Sequence, residues 1–397
     1  TFNLNLKYFL HHNTKIDYQW SSGSPVVGSL FNIKELESLL GVKARNSSDE
    51  LNSSHFDLAN SIQAMYEEAF FNILEAAYKK HKVENLTLAG GCAMNSVANG
   101  KVYRRSSYKK VYIQSAAGDA GGAIGAAFIV SKNVEGISNR FYMDHAYWGP
   151  SFNNDYHHKL LLERKNELIN QGCSFELIED EDDLCNLTAQ AITEGLVIGW
   201  FQGRMEWGPR ALGNRSILGD PRRADMKDIL NLKIKRRESF RPFAPSILRE
   251  RVSEWFEEDD DVPFMMKVFQ IQKEKRALVP AVAHADGSGR LQTVSSSTNS
   301  RYFNLISSFE TLYNLYVPGI INELNIIQVN KNNNFIDWDI PHNILIGGYM
   351  LDRGYVVKGL VTTYMPRGKG GGMIDSLQQR GRFYGYKRSH LGFIKTW

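Results

Sequence analysis

The chain has no apolar run long enough to cross a bilayer. The longest, residues 120–130, is roughly half of the ~20 residues that a spanning helix needs, and it is rich in glycine and alanine. Cysteine is scarce as well. Cys92, Cys173 and Cys185 show no CxxC spacing, which argues against a disulfide framework and a zinc site and favours a reducing, cytoplasmic setting. No GxxxxGK[ST] loop occurs anywhere, so the chain has no P-loop cradle for a nucleotide. There is no large excess of one charge: a net +4 exerts no global pull toward nucleic acid or an anionic membrane. The opening TFNLNLKYFLHH lacks the charged start, apolar stretch and cleavage site of a signal peptide, and Thr1 in place of Met leads to the expectation that upstream sequence is missing.

What is present is an ordinary globular composition, 43% hydrophobic and 23% charged, which leaves no room for long disordered tracts. A length of 397 residues predicts two or three compact units. From Ser54 to His81 apolar residues recur at helical spacing (Phe56, Leu58, Ile62, Met65, Phe70, Ile73, Leu74, Ala77), predicting an amphipathic helix that packs. Two units of one design follow, NLTLAGGCAMNSVANG and VYIQSAAGDAGGAIGAAFIV, each a short strand, a glycine turn and a helix start. A domain boundary is placed near Asp144. Beyond it the pattern predicts a helix from about Asp183, the strand LVIGWF, an arginine-rich loop and a helix over about Asp225–Lys235, again α/β alternation.

The glycine turns suit phosphate. A helix N-terminus offers unpaired N–H groups and a partial positive charge, and glycine lets an anion approach the backbone. Gly90, Gly91 and the turn from Gly118 to Gly122 have that character. Asp119, inside the second turn, is a candidate ligand for a divalent metal or a ribose hydroxyl, and Asn95 a candidate nucleotide contact. The competing reading is that these glycines only permit tight strand–helix packing.

Arginines concentrate further on, where WFQGRMEWGPRALGNRSILGDPRR carries Arg204, Arg210, Arg215, Arg222 and Arg223, and FRPFAPSIL adds Arg241. Between Arg204 and Arg251 there are 13 Lys plus Arg against 6 Asp plus Glu, an excess hidden by the modest total charge. Guanidinium groups bind phosphate or carboxylate in a planar, bidentate way, with Asn214 and Ser216 as neutral hydrogen-bonding neighbours. A solvated basic face and a nucleic-acid patch are the alternatives. The interleaved Gly208, Pro209 and Gly213 describe a rigid loop rather than a helix face, and favour a small phosphate ligand.

Five ordered segments, AGGCAMNSVANGK, QSAAGDAGGAIGAA, GWFQGRMEWGPRALGNRSILGDPRR, ESFRPFAPSIL and AHADGSGRLQTV, together resemble the carbamoyltransferase family that includes nodulation protein U. The resemblance implies an α/β chain: half of an actin-like ATPase (glycoprotease-like) domain over 1–144, then a YrdC-like α/β domain over 145–315. It implies an enzyme that makes carbamoyl-adenylate from carbamoyl phosphate and ATP, and passes the carbamoyl group to a hydroxyl of a small-molecule acceptor with the help of a divalent metal, ferrous iron or magnesium. Carried over by position, Gly90, Gly91 and Asn95 would contact the adenylate and Asp119 would bind the metal. Arg204, Arg210, Asn214, Arg215, Lys235, Arg241, Ser295 and Arg301 would line the carbamoyl phosphate and ATP pocket, with Arg210, Arg215 and Asp119 nearest the chemistry. The family's first phosphate loop and metal-binding histidine pair would lie upstream of Thr1. His11 and His12 are read as packing or surface residues, not as replacements.

After about Ser308 the character changes. The family's NTSFN-like ending is absent after Arg301, and ILIGGYMLDRGYVVKGLVTTYMPR followed by IDSLQQRGRFYGYK resembles the last motifs of a superfamily-two helicase, closest to an endonuclease family with such a core. Gln378, Arg380 and Arg382 match its phosphate-reaching arginine segment, and Asp352, Arg353 and Gly354 the preceding motif. This helicase-like α/β fragment, 316–397, is expected to be an accidental join, at about residues 308–322. Two other readings stand beside the carbamoyltransferase: nucleic-acid binding through the basic, aromatic 322–397 tail, and threonylcarbamoyl-adenylate chemistry for tRNA modification.

Overall fold

In the computed structural model the described residues are 4–10, 12, 19–21, 24–26, 30–46, 49–134, 136, 141–234, 241–312 and 321–323. They fall into two compact units. One takes in the chain up to Leu86 together with Val102–Lys110, the other Thr87–Lys101 with the described residues from Val111 onward.

In the first unit β1 (Gln19–Ser21) and β2 (Ser24–Val26) form an antiparallel hairpin, followed by α1 (Ile33–Leu40) and the long α2 (Ser53–His81). The periodic stretch from Ser54 is indeed one helix. It starts at Asn52, whose side chain accepts the N–H of His55 while His55 Nδ1 accepts the N–H of Asn52. It ends at Lys82 in the left-handed conformation, after a last turn of Lys79, Lys80 and His81 that suits the negative end of the helix dipole. Its apolar stripe is only partly covered: Phe71 and Leu74 are buried, whereas Phe56, Ile62, Met65 and Ile73 are exposed. The buried Glu67 is answered by Arg105 at 2.8 Å, from α4 (Val102–Arg105), and that guanidinium lies 4.1 Å over the Phe71 ring.

β3 (Asn85–Leu88) is paired to β4 (Lys110–Ile113), and the second unit begins within each strand, at Thr87 and again at Val111. Each strand runs into a glycine turn and then a helix, α3 (Ser96–Gly100) after the first and α5 (Gly121–Val134) after the second, the repeated design expected. Next come α6 (Asn154–Glu163), α7 (Lys165–Asn170) and α8 (Glu181–Thr193). A five-stranded sheet follows, built from β5 (Ile198–Phe201), β6 (Arg215–Gly219), β7 (Ala244–Leu248), β10 (Gln292–Val294) and β11 (Ile321–Glu323) in the order β10–β7–β11–β6–β5. Only β10 and β7 run parallel. Between these strands lie α9 (Met226–Asp228), α10 (Val252–Trp255) and the antiparallel pair β8 (Val268–Gln270) and β9 (Ser288–Arg290), and α11 (Ser300–Thr311) follows β10. The helix expected from Asp225 to Lys235 is α9 running into a π-type turn over Ile229–Ile234, and Lys235 itself lies outside the described residues.

Strand β6 is buried along its whole length, so both of its faces carry core side chains. Ile217 joins Met226, Leu230, Ile247, Trp255, Phe256 and Phe269 on one side; Leu218 joins residues of α8 and α11, among them Ile192, Leu305, Ile306 and Phe309, on the other. Each fully buried side chain of this size contributes about 1.5–3 kcal/mol. A third cluster ties the glycine turns to the sheet: Ile113, Ala117, Met143, Leu212, Ala244, Phe264, Met265 and Met266.

The chain is thus mixed α/β, as the alternation predicts. Residues 111–144, grouped in the sequence with the segment 1–144, share a compact unit with the segment 145–315. Of the segment 316–397 only β11 is described, and the helicase-like residues Asp352 to Gly354 and Gln378 to Arg382 lie outside the described residues. Among the described residues no helix is long and apolar enough to cross a membrane.

Near the end of α11, Glu310 is 8% exposed, and burial, together with nearby Glu250 and Glu254 and against the opposing pull of Arg251, pushes its carboxyl up to about 7. A carboxyl raised in the fold is neutral in both states below about pH 4.5, so it costs nothing there. As pH climbs toward 7 the unfolded chain ionises first and stability falls, by about 2 kcal/mol in all. Urea unfolding at pH 5 and pH 8 is expected to show this loss in the wild type and not in Glu310→Gln; equal losses in both proteins would refute it.

Candidate functional site

The first glycine turn leaves β3 at Gly90, where φ is +102°, and Asn95 caps α3 by accepting the N–H of Ala98 at 3.1 Å. Gly90 and Gly91 are exposed and a Cβ at either would meet open space. The second turn, Ser115 to Ala120, is buried at Ser115, Ala116 and Ala117 and exposed at Asp119. The two turns are joined, since Gly90 donates its N–H to Ala117 O at 2.7 Å.

The arginine loop, residues 202–214, has neither helix nor strand to satisfy its backbone, and side chains share that task with irregular backbone bonds such as Gln202 N–H to Asn214 O (3.0 Å), Met205 N–H to Pro150 O (3.0 Å) and Trp207 N–H to Ala146 O (2.6 Å). Glu206 is fully buried, and its Oε1 accepts the N–H groups of Leu212 (2.8 Å), Asn214 (3.0 Å) and Arg215 (3.1 Å). A buried N–H left without a partner costs roughly 1–3 kcal/mol, so this carboxyl dominates the local energetics. The Leu212 carbonyl is held as firmly, accepting Tyr147 Oη–H at 2.7 Å and Gln292 Nε2–H at 2.9 Å. Burial raises the Tyr147 phenol well above its ordinary range, keeping it a donor. Asn214 gives Nδ2–H to Arg204 O (2.7 Å), and its Oδ1 accepts from Gln202 (2.8 Å) and Asn299 (2.9 Å). Ser246 donates to Gln292 Oε1 at 3.0 Å and accepts from Tyr302 at 2.8 Å.

The guanidinium groups divide by task. Arg215, on β6 rather than in the loop, donates to Gln202 O (2.5 Å), Asn214 O (2.8 Å) and Gly203 O (3.1 Å) and lies 3.6 Å over the Phe201 ring. Arg204 donates to Gly149 O and Trp148 O, both at 2.9 Å. Arg222 grips Asp220 and Arg223 grips Asp225 bidentately, so these two guanidinium groups are engaged within the chain. Arg301 pairs with Glu181 at 2.8 Å. Arg210 is half-buried midway along the loop, and Arg241 is half-buried just before β7, its carbonyl accepting from Asn231 at 2.9 Å. Ser216 is buried and its hydroxyl accepts the Gly213 N–H at 3.0 Å; Ser295 shares a hydroxyl contact of 2.8 Å with Ser297 before α11.

One contact brings the arginine loop and the second glycine turn together. Gly208 has φ of +117°, and a Cβ there would lie 2.6 Å from Ser115 O. Gly90, Asp119 and Arg210 therefore belong to one connected region, whereas Ser295 and Arg301 sit at the start of α11, with Arg301 bonded to α8. Among the described residues no three His, Cys, Asp or Glu side chains group as a metal site would require. Asp119 by itself does not make a metal centre.

Glu206, Gln202, Asn299, Ser246 and Gln292 are essential to this geometry, and reading the sequence for ligand contacts passes over them. Four of the five lie inside the five matched segments, which was the available signal.

Gly208→Ala combines left-handed strain with a steric clash, while Gly90→Ala brings strain alone because space is open there. Chemical denaturation is expected to show a loss of about 3 kcal/mol for the first and about 1 kcal/mol for the second. A Gly208→Ala protein as stable as Gly90→Ala would contradict the contact.

Two family models, Carbamoyltransferase N-terminus and Carbamoyltransferase C-terminus, match residues 10–128 and 189–325, and a third, Z1 domain, matches residues 261–397. The chain is 38% identical over 339 residues to an uncharacterized protein of Synechocystis sp., covering 79% of this chain and 51% of the relative. It is 37% identical over 328 residues to nodulation protein NolNO of Sinorhizobium fredii, covering 79% and 46%. It is 32% identical over 233 residues to 3'-hydroxymethylcephem-O-carbamoyltransferase of Amycolatopsis lactamdurans, covering 56% and 39%. The chain spans about half the length of the first two of these relatives. Matched in order by the N-terminal and C-terminal models, with the arginine loop and the second glycine turn in contact, the chain belongs to the carbamoyltransferase family.

Proposed function

We propose that this chain carries the carbamoyl-activating part of an O-carbamoyltransferase, its glycine turns belonging to an actin-like domain and its arginine loop to a YrdC-like one. Water releases phosphate from carbamoyl phosphate and leaves carbamate. A carbamate oxygen then attacks the α-phosphorus of ATP, forming carbamoyl-adenylate and expelling pyrophosphate. The acceptor's hydroxyl oxygen attacks the carbamoyl carbon, the bond to AMP breaks, and the hydroxyl proton passes to solvent. The named activity of the Amycolatopsis relative, on a hydroxymethyl group, supports a small hydroxyl-bearing acceptor.

The observation that carries this reading is the seating of the arginine loop on the second glycine turn at Gly208 and Ser115. Phosphoryl chemistry needs pre-placed positive groups and close backbone approach, and these two segments supply both in one region. Arg210 is assigned to the reacting phosphates. Arg204 and Arg215 fix the loop through backbone carbonyls. Gly91 and Asn95, at the open first turn, are assigned to the adenylate. The described residues do not fit a metal, so no step is routed through one.

The test is carbamoyl-phosphate-dependent exchange of labelled pyrophosphate into ATP. Arg210→Ala is expected to lose exchange by about 100-fold or more. Arg215→Ala is expected to lose both exchange and stability. Exchange that needs threonine and bicarbonate instead would redirect the function to threonylcarbamoyl-adenylate, and no exchange under any condition would sink the assignment.

A further inference from the structure

We infer that Glu206 is the positioning residue of the arginine loop, acting through backbone N–H groups rather than by touching the ligand. The inference rests on the reading of that loop as the phosphate-binding element. Residues 202–214 adopt no regular structure, so their conformation is set by whatever takes their backbone groups. Glu206 takes two of them, at Leu212 and Asn214, and the N–H of Arg215 at the start of β6, all with a single oxygen, and closes residues 206–215 into a loop with Arg210 midway along it. The side chain is wholly buried, at 0% exposure. Its second oxygen, Oε2, is buried and has no protein hydrogen-bond partner among the described residues, which separates the anchoring oxygen from the rest of the group. Among the described residues no cation pairs with it in the way Asp220 and Asp225 are paired, so its role differs from theirs.

Because the anchoring needs one acceptor oxygen, the amide of Glu206→Gln can supply it, whereas Glu206→Ala cannot. The experiment compares wild type with both variants in three measurements: KM and kcat of pyrophosphate exchange, residue-resolved amide hydrogen exchange, and thermal shift on adding inorganic pyrophosphate. Glu206→Gln is expected to keep KM for carbamoyl phosphate within about threefold, and Glu206→Ala to raise it about tenfold or more with a smaller change in kcat. In Glu206→Ala the amides of Leu212, Asn214 and Arg215 are expected to exchange about 100-fold faster while core amides of β6 and α11 hold their protection, and the pyrophosphate shift is expected to shrink.

A Glu206→Ala protein of lowered stability but unchanged KM would reduce the residue to a structural role and overturn the inference. So would a Glu206→Gln protein that stays folded yet is as impaired in KM as Glu206→Ala, since the carboxyl would then act on the ligand directly. If Glu206→Ala does not fold, wild-type amides at 212, 214 and 215 that exchange freely overturn it, and protected ones retained in Glu206→Gln support it. A wild type without pyrophosphate exchange refutes the enzymatic assignment alone, because amide protection and the pyrophosphate shift read the loop independently of turnover.

Discussion

A buried carboxyl oxygen that receives three backbone N–H groups is the interaction on which this architecture depends. An irregular loop has no ladder of its own, so it persists only where other groups supply the missing partners for its backbone. Glu206 fills that need for N–H groups at the end of the loop, the guanidinium group of Arg215 fills it for the carbonyls of Gln202, Gly203 and Asn214, and Arg204 ties the loop to the carbonyls of Trp148 and Gly149. The loop is thus held by a buried carboxyl on one side and by guanidinium groups on the other, which fixes the course of its backbone.

From that anchor the order spreads through hydrogen bonds that link segments far apart in sequence. Gln292 reaches Leu212, Ser246 reaches Gln292, and Tyr302 reaches Ser246, each bond joining a different element to the next. Gly208 presses on Ser115, and Gly90 bonds Ala117. Every one of the five family-like segments therefore holds another in place. Side-chain networks of this kind are cooperative, so the deletion of one member disturbs more than its own bond.

Much of the fold was legible because periodicity and turn chemistry are local. The helix from Ser53 to His81, the repeated strand–turn–helix design and the strand before the arginine loop all follow from residue order. What was not legible was set by tertiary partners. Arg215 and Ser216 read as loop residues because glycine and arginine dominate their neighbourhood, yet the sheet recruits them into β6. Asn214 reads as a ligand contact, yet its amide is engaged with Gln202, Asn299 and Arg204 O. Glu206 counted only as one acid among many bases, since nothing in a linear charge census distinguishes a buried acceptor from a solvated one. The apolar stripe of α2 is visible in the periodicity, but half of its residues, Phe56, Ile62, Met65 and Ile73, remain exposed among the described residues.

The placement of β11 carries a consequence for any dissection of the chain. Ile321, Asn322 and Glu323 pair with β6 on one side and with β7 on the other, so the middle strand of the sheet comes last in its order of synthesis. A polypeptide ending after α11 would leave two facing strand edges with unpaired N–H and C=O groups in the centre of the sheet instead of at its rim. Such edges template pairing with other chains. A shortened protein would be prone to self-association for reasons unrelated to its chemistry, and during translation the same gap would stay open until residue 323 had left the ribosome.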